Sequence, residues 1–250
     1  MKTGIVASDP KEWHVERLIS ELKARGAEAY ILPATRFRSG VGLKPGLSVR
    51  GYSIDDYDAI IVRKVPGGSA ERVFYRMDTL HRLEDLGVYV LNSADAIEIA
   101  VDKYYTSARL EDTGIKTPRT VVTESFDEAM KAFSELGGDV VVKPLFGSLG
   151  LGISRVSDED VAYRIFRALE LTHGVYYIQE YIPHCNEDIR AFVIGGEVVA
   201  SMKRTANDWK TNISAGGRAE PYDLEEDLVI LSVEASAAVG LEYSGVDILR

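Results

Sequence analysis

Residues Asp139–Gly152, DVVVKPLFGSLGLG, constrain the fold more than any other stretch of this 250-residue chain. Val140, Val141 and Val142 are β-branched, stiff at χ1 and suited to a pleated surface, so this unbroken apolar run reads as a buried strand. It ends in Lys143 and passes into a loop that holds Gly147, Ser148, Gly150 and Gly152. A strand that delivers one amine beside an amide-rich loop suits a polyphosphate. Glycines let main-chain N–H groups approach phosphate oxygens, and the lysine neutralises their charge. The order differs from a Walker A loop, where lysine follows the last glycine, and no helix pattern opens within the loop as a dinucleotide fingerprint requires. Taken alone, the stretch reads equally as a glycine-rich hairpin turn.

The net charge of −10 sets the overall field against nucleic acid and anionic membranes, so an anionic ligand needs a local basic site. A single cysteine, Cys185, rules out an intramolecular disulfide and points to a reducing compartment. The start, MKTGIVASDPKEW, lacks the apolar core of a signal peptide, and no apolar run approaches the ~20 residues of a membrane span. A cytoplasmic protein is expected.

Strand patterns at Thr3–Ala7, Ala29–Leu32, Tyr57–Val62 and Val88–Leu91 alternate with helical spacings at Val15, Leu18, Ile19, Leu22 and at Val73, Met77, Leu80, Leu83. This alternation predicts a parallel sheet with ligand-facing loops at its strand ends. From Asn92 the pattern gives one or two helices through Leu110 and a strand at Thr120–Thr123. A capping box at Ser125–Glu128 follows, then the Val140 strand, a helix opened by Ser157–Asp160 and a strand at Val175–Glu180. From Tyr181 onward, Arg190–Ile194 and Glu197–Lys203 flank Gly195-Gly196 as a hairpin, ahead of a helix near Leu224–Val239 and a strand at Val246–Leu249.

Asp188 and Arg190 sit at i and i+2 and share one strand face, with Lys203 and Arg204 across the hairpin and Lys210, Thr211 and Asn212 beyond. Clustered cations on a sheet face stabilise a transferring phosphoryl group; the alternative is a solvated face with surface ion pairs. Asp247 lies in an apolar strand, where a carboxylate is costly unless paired or on a metal. Lys103 alone reads as a surface lysine, and Glu180, just before Tyr181, as a strand-end charge. The four histidines show no ligand spacing.

Together these pieces resemble the ATP-grasp superfamily, and within it the RimK-like amino-acid ligases. The matching segments are NSADAIEIAVDKYYTSARLEDTGIKTPRTVV, VVKPLFGSLGLGI, YIQEYIPHCNEDIRAFVIGGEVVASMKR, DWKTNISAGG and GLEYSGVDILR, in family order over 92–250. The resemblance implies an α/β (α+β) ATP-grasp fold with an amino-terminal pre-ATP-grasp α/β domain over 1–92. A central domain over 93–180 and a carboxyl-terminal domain over 181–250 follow. It implies that Lys103 and Lys143 bind ATP phosphates and that the loop of Gly147, Ser148, Gly150 and Gly152 closes over them. Glu180 and Tyr181 would sit at the adenine and hinge, and Asp188 at the ribose. Arg190 and Arg204 would face the reacting phosphoryl group, and Lys210, Thr211 and Asn212 the nucleotide or intermediate. Asp247 would be the first carboxylate for Mg2+ (or Mn2+). The family continues past the GVDILR-like strand to an E-V-N segment that completes the metal site. Neither residue lies within these 250, so a third domain cut short is expected.

The activity implied is ATP-dependent amide ligation of L-glutamate to an acceptor carboxylate through an acyl phosphate. The amino-terminal block looks most like the archaeal branch that modifies pterin or deazaflavin coenzymes, with Arg63, Lys64 and the Pro66–Ser69 turn as acceptor contacts. A ribosomal-protein or carrier-protein tail is the alternative acceptor, and a non-catalytic nucleotide-binding relative the alternative class. A homo-oligomer is the family default.

Overall fold

Short apolar strands alternating with amphipathic helices build a parallel sheet at the amino-terminal end. The computed structural model describes residues 1–147 and 152–250, and the chain divides into two compact units, Met1–Glu98 and Ile99–Arg250. The first unit contains β1 (Lys2–Val6), α1 (Trp13–Ala24), β2 (Glu28–Leu32), β3 (Phe37–Ser39), β4 (Leu47–Val49) and β5 (Tyr52–Ser53). It continues with β6 (Ala59–Val62), α2 (Ala70–Asp85), β7 (Tyr89–Leu91) and α3 (Ala94–Val101), in which the division between the units falls. The main sheet has the order β2-β1-β6-β7, and all its pairings are parallel, as the alternation predicts. Leu18, Ile19 and Leu22 of α1 pack with Ile5 and Ala7, while Met77, Leu80 and Leu83 of α2 join the core around Val6, Ile60 and Val90. Helices thus cover both faces, which is why a parallel sheet is stable here. Gly26 adopts φ +76° after α1, and the Ala27 N–H bonds the Leu22 carbonyl at 3.0 Å, which closes the helix end. A second, antiparallel sheet of β3, β4 and β5 sits in the β2–β6 connection.

The second unit contains α4 (Lys103–Asp112), β8 (Thr120–Thr123), α5 (Phe126–Glu135), β9 (Val140–Lys143), β10 (Ser154–Val156), α6 (Glu159–Leu171) and β11 (Tyr176–Glu180). Asp102 caps α4, Ser125 caps α5 and Asp158 caps α6, each accepting a main-chain N–H of the first turn. The strands pair antiparallel in the order β10-β9-β11-β8. Val140, Val142, Tyr176 and Ile178 point to α5 and α6 and form the core with Ala129, Phe133 and Phe166. Each buried Val, Ile or Phe among them contributes about 1.5–3 kcal/mol by leaving water. Strand alternation sends Lys143, Tyr177 and Gln179 to the opposite face.

The unit ends with β12 (Glu187–Ile194), β13 (Glu197–Thr205), β14 (Arg218–Pro221), α7 (Glu226–Ala238) and β15 (Tyr243–Ile248). These strands form an antiparallel sheet in the order β14-β13-β12-β15. Ile189 and Ile248 pack with Leu228 of α7, so their strand neighbours Asp188, Arg190 and Asp247 share the other face. Among the described residues no helix is long and apolar enough to cross a membrane.

Candidate nucleotide site

Lys143 ends β9, and its amine donates to Gln179 Oε1 on the neighbouring strand β11. Burial pushes its pKa down to about 8; repulsion from Lys103 adds to the shift, and Asp247 opposes it. Lys103 opens α4 and donates 3.0 Å hydrogen bonds to the Leu145 and Gly147 carbonyls at the start of the glycine loop. Burial lowers its pKa as well, against the pull of Asp102. Two part-buried amines therefore lie near each other, and among the described residues each donates to neutral acceptors alone. An anion is the group that such a pair lacks.

The strand register assembles the second half. Asp188 lies opposite Arg204, and Arg190 opposite Asp247. Arg204 is 3% exposed and grips Asp188 with both Nε and a terminal nitrogen; Thr211 Oγ1 donates to Asp188 at 2.9 Å. Arg204 also donates to Asp247 Oδ1 at 2.8 Å, and Arg190 Nε lies 3.3 Å from the same oxygen. Burial raises the Asp247 pKa, while Arg190 and Arg204 oppose that rise. Its side chain is nonetheless 47% exposed, so it is reachable from solvent although surrounded by protein. Among the described residues both guanidinium contacts fall on Oδ1, so this carboxylate fits one ligand position of a magnesium-type site. Gly245 makes this arrangement possible: a Cβ there would lie 2.7 Å from Arg190 Nε.

Glu180 ends β11 and is held by the Arg119 main-chain N–H at 2.8 Å and its guanidinium at 2.6 Å. Burial would raise its pKa, but these contacts outweigh it and leave the carboxyl low. Tyr181 lies under the Arg155 guanidinium, 3.5 Å from the ring centroid, with Trp209 edge-on at 6.2 Å. Lys210 donates to the Ile153 carbonyl at 2.7 Å. Asn212 precedes a short 3-10 turn, and its carbonyl accepts the Gly217 N–H at 3.2 Å. Gly147 and Gly152 both have positive φ, while Ser148 and Gly150 lie outside the described residues.

The structure thus brings Lys103, Lys143, Arg190, Arg204, Asp188, Thr211 and Asp247 into one connected region of the second unit. Sequence reasoning missed Gln179, Gly245 and Arg155. Alternation from Lys143 across an antiparallel pairing would have placed Gln179, but that pairing was not read. His81 of α2 lies 3.2 Å from Glu98 of α3 in the first unit.

The architecture is that of ATP-grasp proteins. It superimposes on the RimK domain ATP-grasp protein of Sphaerobacter thermophilus with a TM-score of 0.79 at 20% identity, covering 100% of this chain and 86% of that one. The D-alanine–D-alanine ligase of Bacillus anthracis gives a TM-score of 0.68 at 20% identity, covering 100% and 82%. Residues 1–97 match the RimK PreATP-grasp domain and residues 100–250 the RimK-like ATP-grasp domain, so the chain belongs to the RimK-like ATP-grasp family. It is 36% identical over 277 residues to a tetrahydromethanopterin:alpha-L-glutamate ligase of Methanosarcina acetivorans, covering 100% of this chain and 82% of that one. It is 32% identical over 255 residues to a probable alpha-L-glutamate ligase of Thioalkalivibrio sulfidiphilus, covering 100% and 83%.

Proposed function

We propose that this protein uses ATP to join L-glutamate to an acceptor carboxylate on a pterin or deazaflavin coenzyme. The observation that carries the nucleotide half is the pair Lys103 and Lys143, two part-buried amines whose hydrogen-bond acceptors among the described residues are all neutral, beside a glycine loop. The glutamate and the coenzyme acceptor rest on the similarity to tetrahydromethanopterin:alpha-L-glutamate ligases along the whole chain.

Lys103 and Lys143 hold the phosphates beside Gly147 and Gly152, which bound the glycine loop. Glu180 and Tyr181 flank the adenine at the hinge between a central domain, 93–180, and a carboxyl-terminal domain, 181–250, which follow the pre-ATP-grasp domain, 1–92. Asp188 takes the ribose and Lys210, Thr211 and Asn212 the nucleotide or intermediate. Arg190 and Arg204 face the transferring phosphoryl group. Because Asp188 and Arg204 grip each other, each also orients the other. Asp247 is the residue that would hold Mg2+ or Mn2+; when bound, that ion neutralises charge on the phosphates.

The acceptor carboxylate attacks the γ-phosphorus, the bond to ADP breaks, and an acyl phosphate forms. The glutamate α-amine then attacks the acyl carbon, loses a proton, and phosphate departs as the amide forms. The residues named position these groups and keep water from the acyl phosphate. Arg63, Lys64 and the Pro66–Ser69 turn contact the acceptor; Arg63 is paired with Glu12 at 2.9 Å, and Arg76 donates to the Pro66 and Gly67 carbonyls, which holds the turn. The protein works in the cytoplasm as a homo-oligomer.

The test is magnesium-dependent ADP release with L-glutamate and, separately, a tetrahydromethanopterin-type pterin, a deazaflavin coenzyme and a carboxyl-terminal peptide, with product mass as readout. A gain of one glutamyl mass on a coenzyme supports the proposal. Glutamylation of the peptide alone moves the acceptor to a protein tail. ATP binding without ADP release on any acceptor refutes the coenzyme reading and leaves a nucleotide-binding relative.

A further inference from the structure

Behind Lys143 runs a chain of hydrogen bonds whose direction is fixed. A lysine ammonium has donors only, so the Gln179 oxygen must face it and the Gln179 NH2 must point away. That NH2 donates to Thr120 Oγ1 at 2.9 Å and to Tyr177 OH at 3.3 Å. Thr120 gives its own proton to the Pro118 carbonyl at 2.9 Å, so its oxygen is free to accept. Ser107 gives its proton to the Lys103 carbonyl at 2.9 Å, so it can take the Tyr177 proton across 3.5 Å. No member can reverse without leaving two donors or two acceptors face to face. Gln179 is buried at 7% exposure, so neither end of its amide is free to turn to water instead.

The charged groups that face Lys143 are Lys103, which repels it, and Asp247, which attracts it from β15; Tyr177 lies directly opposite in the β9–β11 register. Among the described residues, the one side chain hydrogen-bonded to the amine is the neutral Gln179. A glutamate at this position would fit the space, but its charge would cancel the lysine. It would also offer no donor to Thr120 and Tyr177.

We infer that Gln179 is a positioning residue that aims the Lys143 amine while leaving its charge uncancelled, so that a phosphate of the bound nucleotide is the counter-charge. This rests on the reading of Lys143 as a phosphate-binding lysine. It extends that reading by requiring a neutral acceptor at 179, whose amide polarity is set from α4 and β8. A merely structural Gln179 makes the opposite demand. Gln179→Met loses every hydrogen bond, whereas Gln179→Glu keeps the strongest, so packing alone would make the methionine variant the worse one.

The experiment is calorimetric titration of ATP with magnesium into the full chain and its Gln179→Glu, Gln179→Met and Lys143→Ala variants, with the KM for acceptor measured alongside. The expected order of ATP affinity is wild type, then Gln179→Met, weaker by about threefold, then Gln179→Glu, weaker by about tenfold or more, since a charge-assisted contact is lost. The acceptor KM of the glutamate variant stays within about twofold, a split that general loosening would not produce. Gln179→Met binding ATP as wild type, or more weakly than Gln179→Glu, overturns the inference. Should Gln179→Glu not fold, Gln179→Met decides alone: a wild-type Kd overturns the inference and a weakened Kd with unchanged acceptor KM supports it. If Lys143→Ala itself retains wild-type affinity, the phosphate-binding reading fails and takes this one with it.

Discussion

Replacing Lys143 by methionine should make the protein more stable at neutral pH while removing nucleotide binding. The amine has a pKa of about 8 in the fold against 10.5 for an ordinary lysine, with burial as the leading cause. At about 1.4 kcal/mol for each tenfold change in proton affinity, the folded state carries at most about 3 kcal/mol of penalty for the ammonium. Gln179 loses a partner in the variant, which returns about 1 kcal/mol, so a net gain of roughly 1–2 kcal/mol is expected. The pH dependence follows from the lowered folded value. Below pH 8 both states of the wild type are protonated, and the whole penalty applies. Between about 8 and 10.5 the unfolded chain binds the proton more tightly, so wild-type stability rises with pH. The advantage of Lys143→Met should therefore be full at pH 7 and shrink steadily towards pH 10.5. Urea unfolding followed by Trp209 emission in a Trp13→Phe background reads the second unit alone, at pH 7, 8, 9 and 10. A methionine variant less stable than wild type at pH 7, or an advantage that does not change with pH, would show that this lysine is not held under electrostatic penalty.

Gly245→Ala puts a Cβ 2.7 Å from Arg190 Nε and 3.2 Å from its Cζ, so the guanidinium must move while the strand persists. Because the Arg190–Asp247 pair is half-exposed, stability should change by less than about 1 kcal/mol, whereas kcat should fall by roughly tenfold to a hundredfold; steady-state assay beside a thermal melt separates the two, and an unchanged kcat removes Arg190 from the chemistry. Asp188→Ala leaves the buried Arg204 with only the half-exposed Asp247, and should cost about 3–5 kcal/mol in urea unfolding. A loss below about 1 kcal/mol would mean that the pair adds little. Lys103→Ala should weaken ATP by about tenfold in calorimetry without lowering the melting temperature, because the contacts it loses are part-exposed main-chain carbonyls.

What could be read in advance was what local chemistry fixes. The β-branched run at Val140–Val142, the Ser125 cap, the Gly195-Gly196 hairpin and the Gly26 stop each act within a few residues, and each lies where periodicity puts it. The sheet of β3, β4 and β5 was not foreseen. Its strands have three, three and two residues, too few for an alternating pattern to emerge from a glycine-rich stretch. The site divides along the same line. Residue types and spacings marked Lys143, Arg190 and Asp247. That Arg204 bridges Asp188 and Asp247 depends on the register of three strands, and register is a tertiary property.

The site holds its cations in two different ways, and that difference carries the functional argument. Arg190 and Arg204 are tied to carboxylates, which fixes their geometry but offsets their charge. Lys103 and Lys143 are tied to carbonyl oxygens, which fixes their geometry and leaves their charge whole. The region therefore carries four cations against the carboxylates Asp102, Asp188 and Asp247, a local positive excess within a chain of net charge −10. Long-range attraction cannot gather an anion onto such a protein, so selectivity for a polyphosphate must come from the desolvated lysines at contact distance. The same desolvation depresses the pKa of both amines, and the fold bears that cost until an anion arrives.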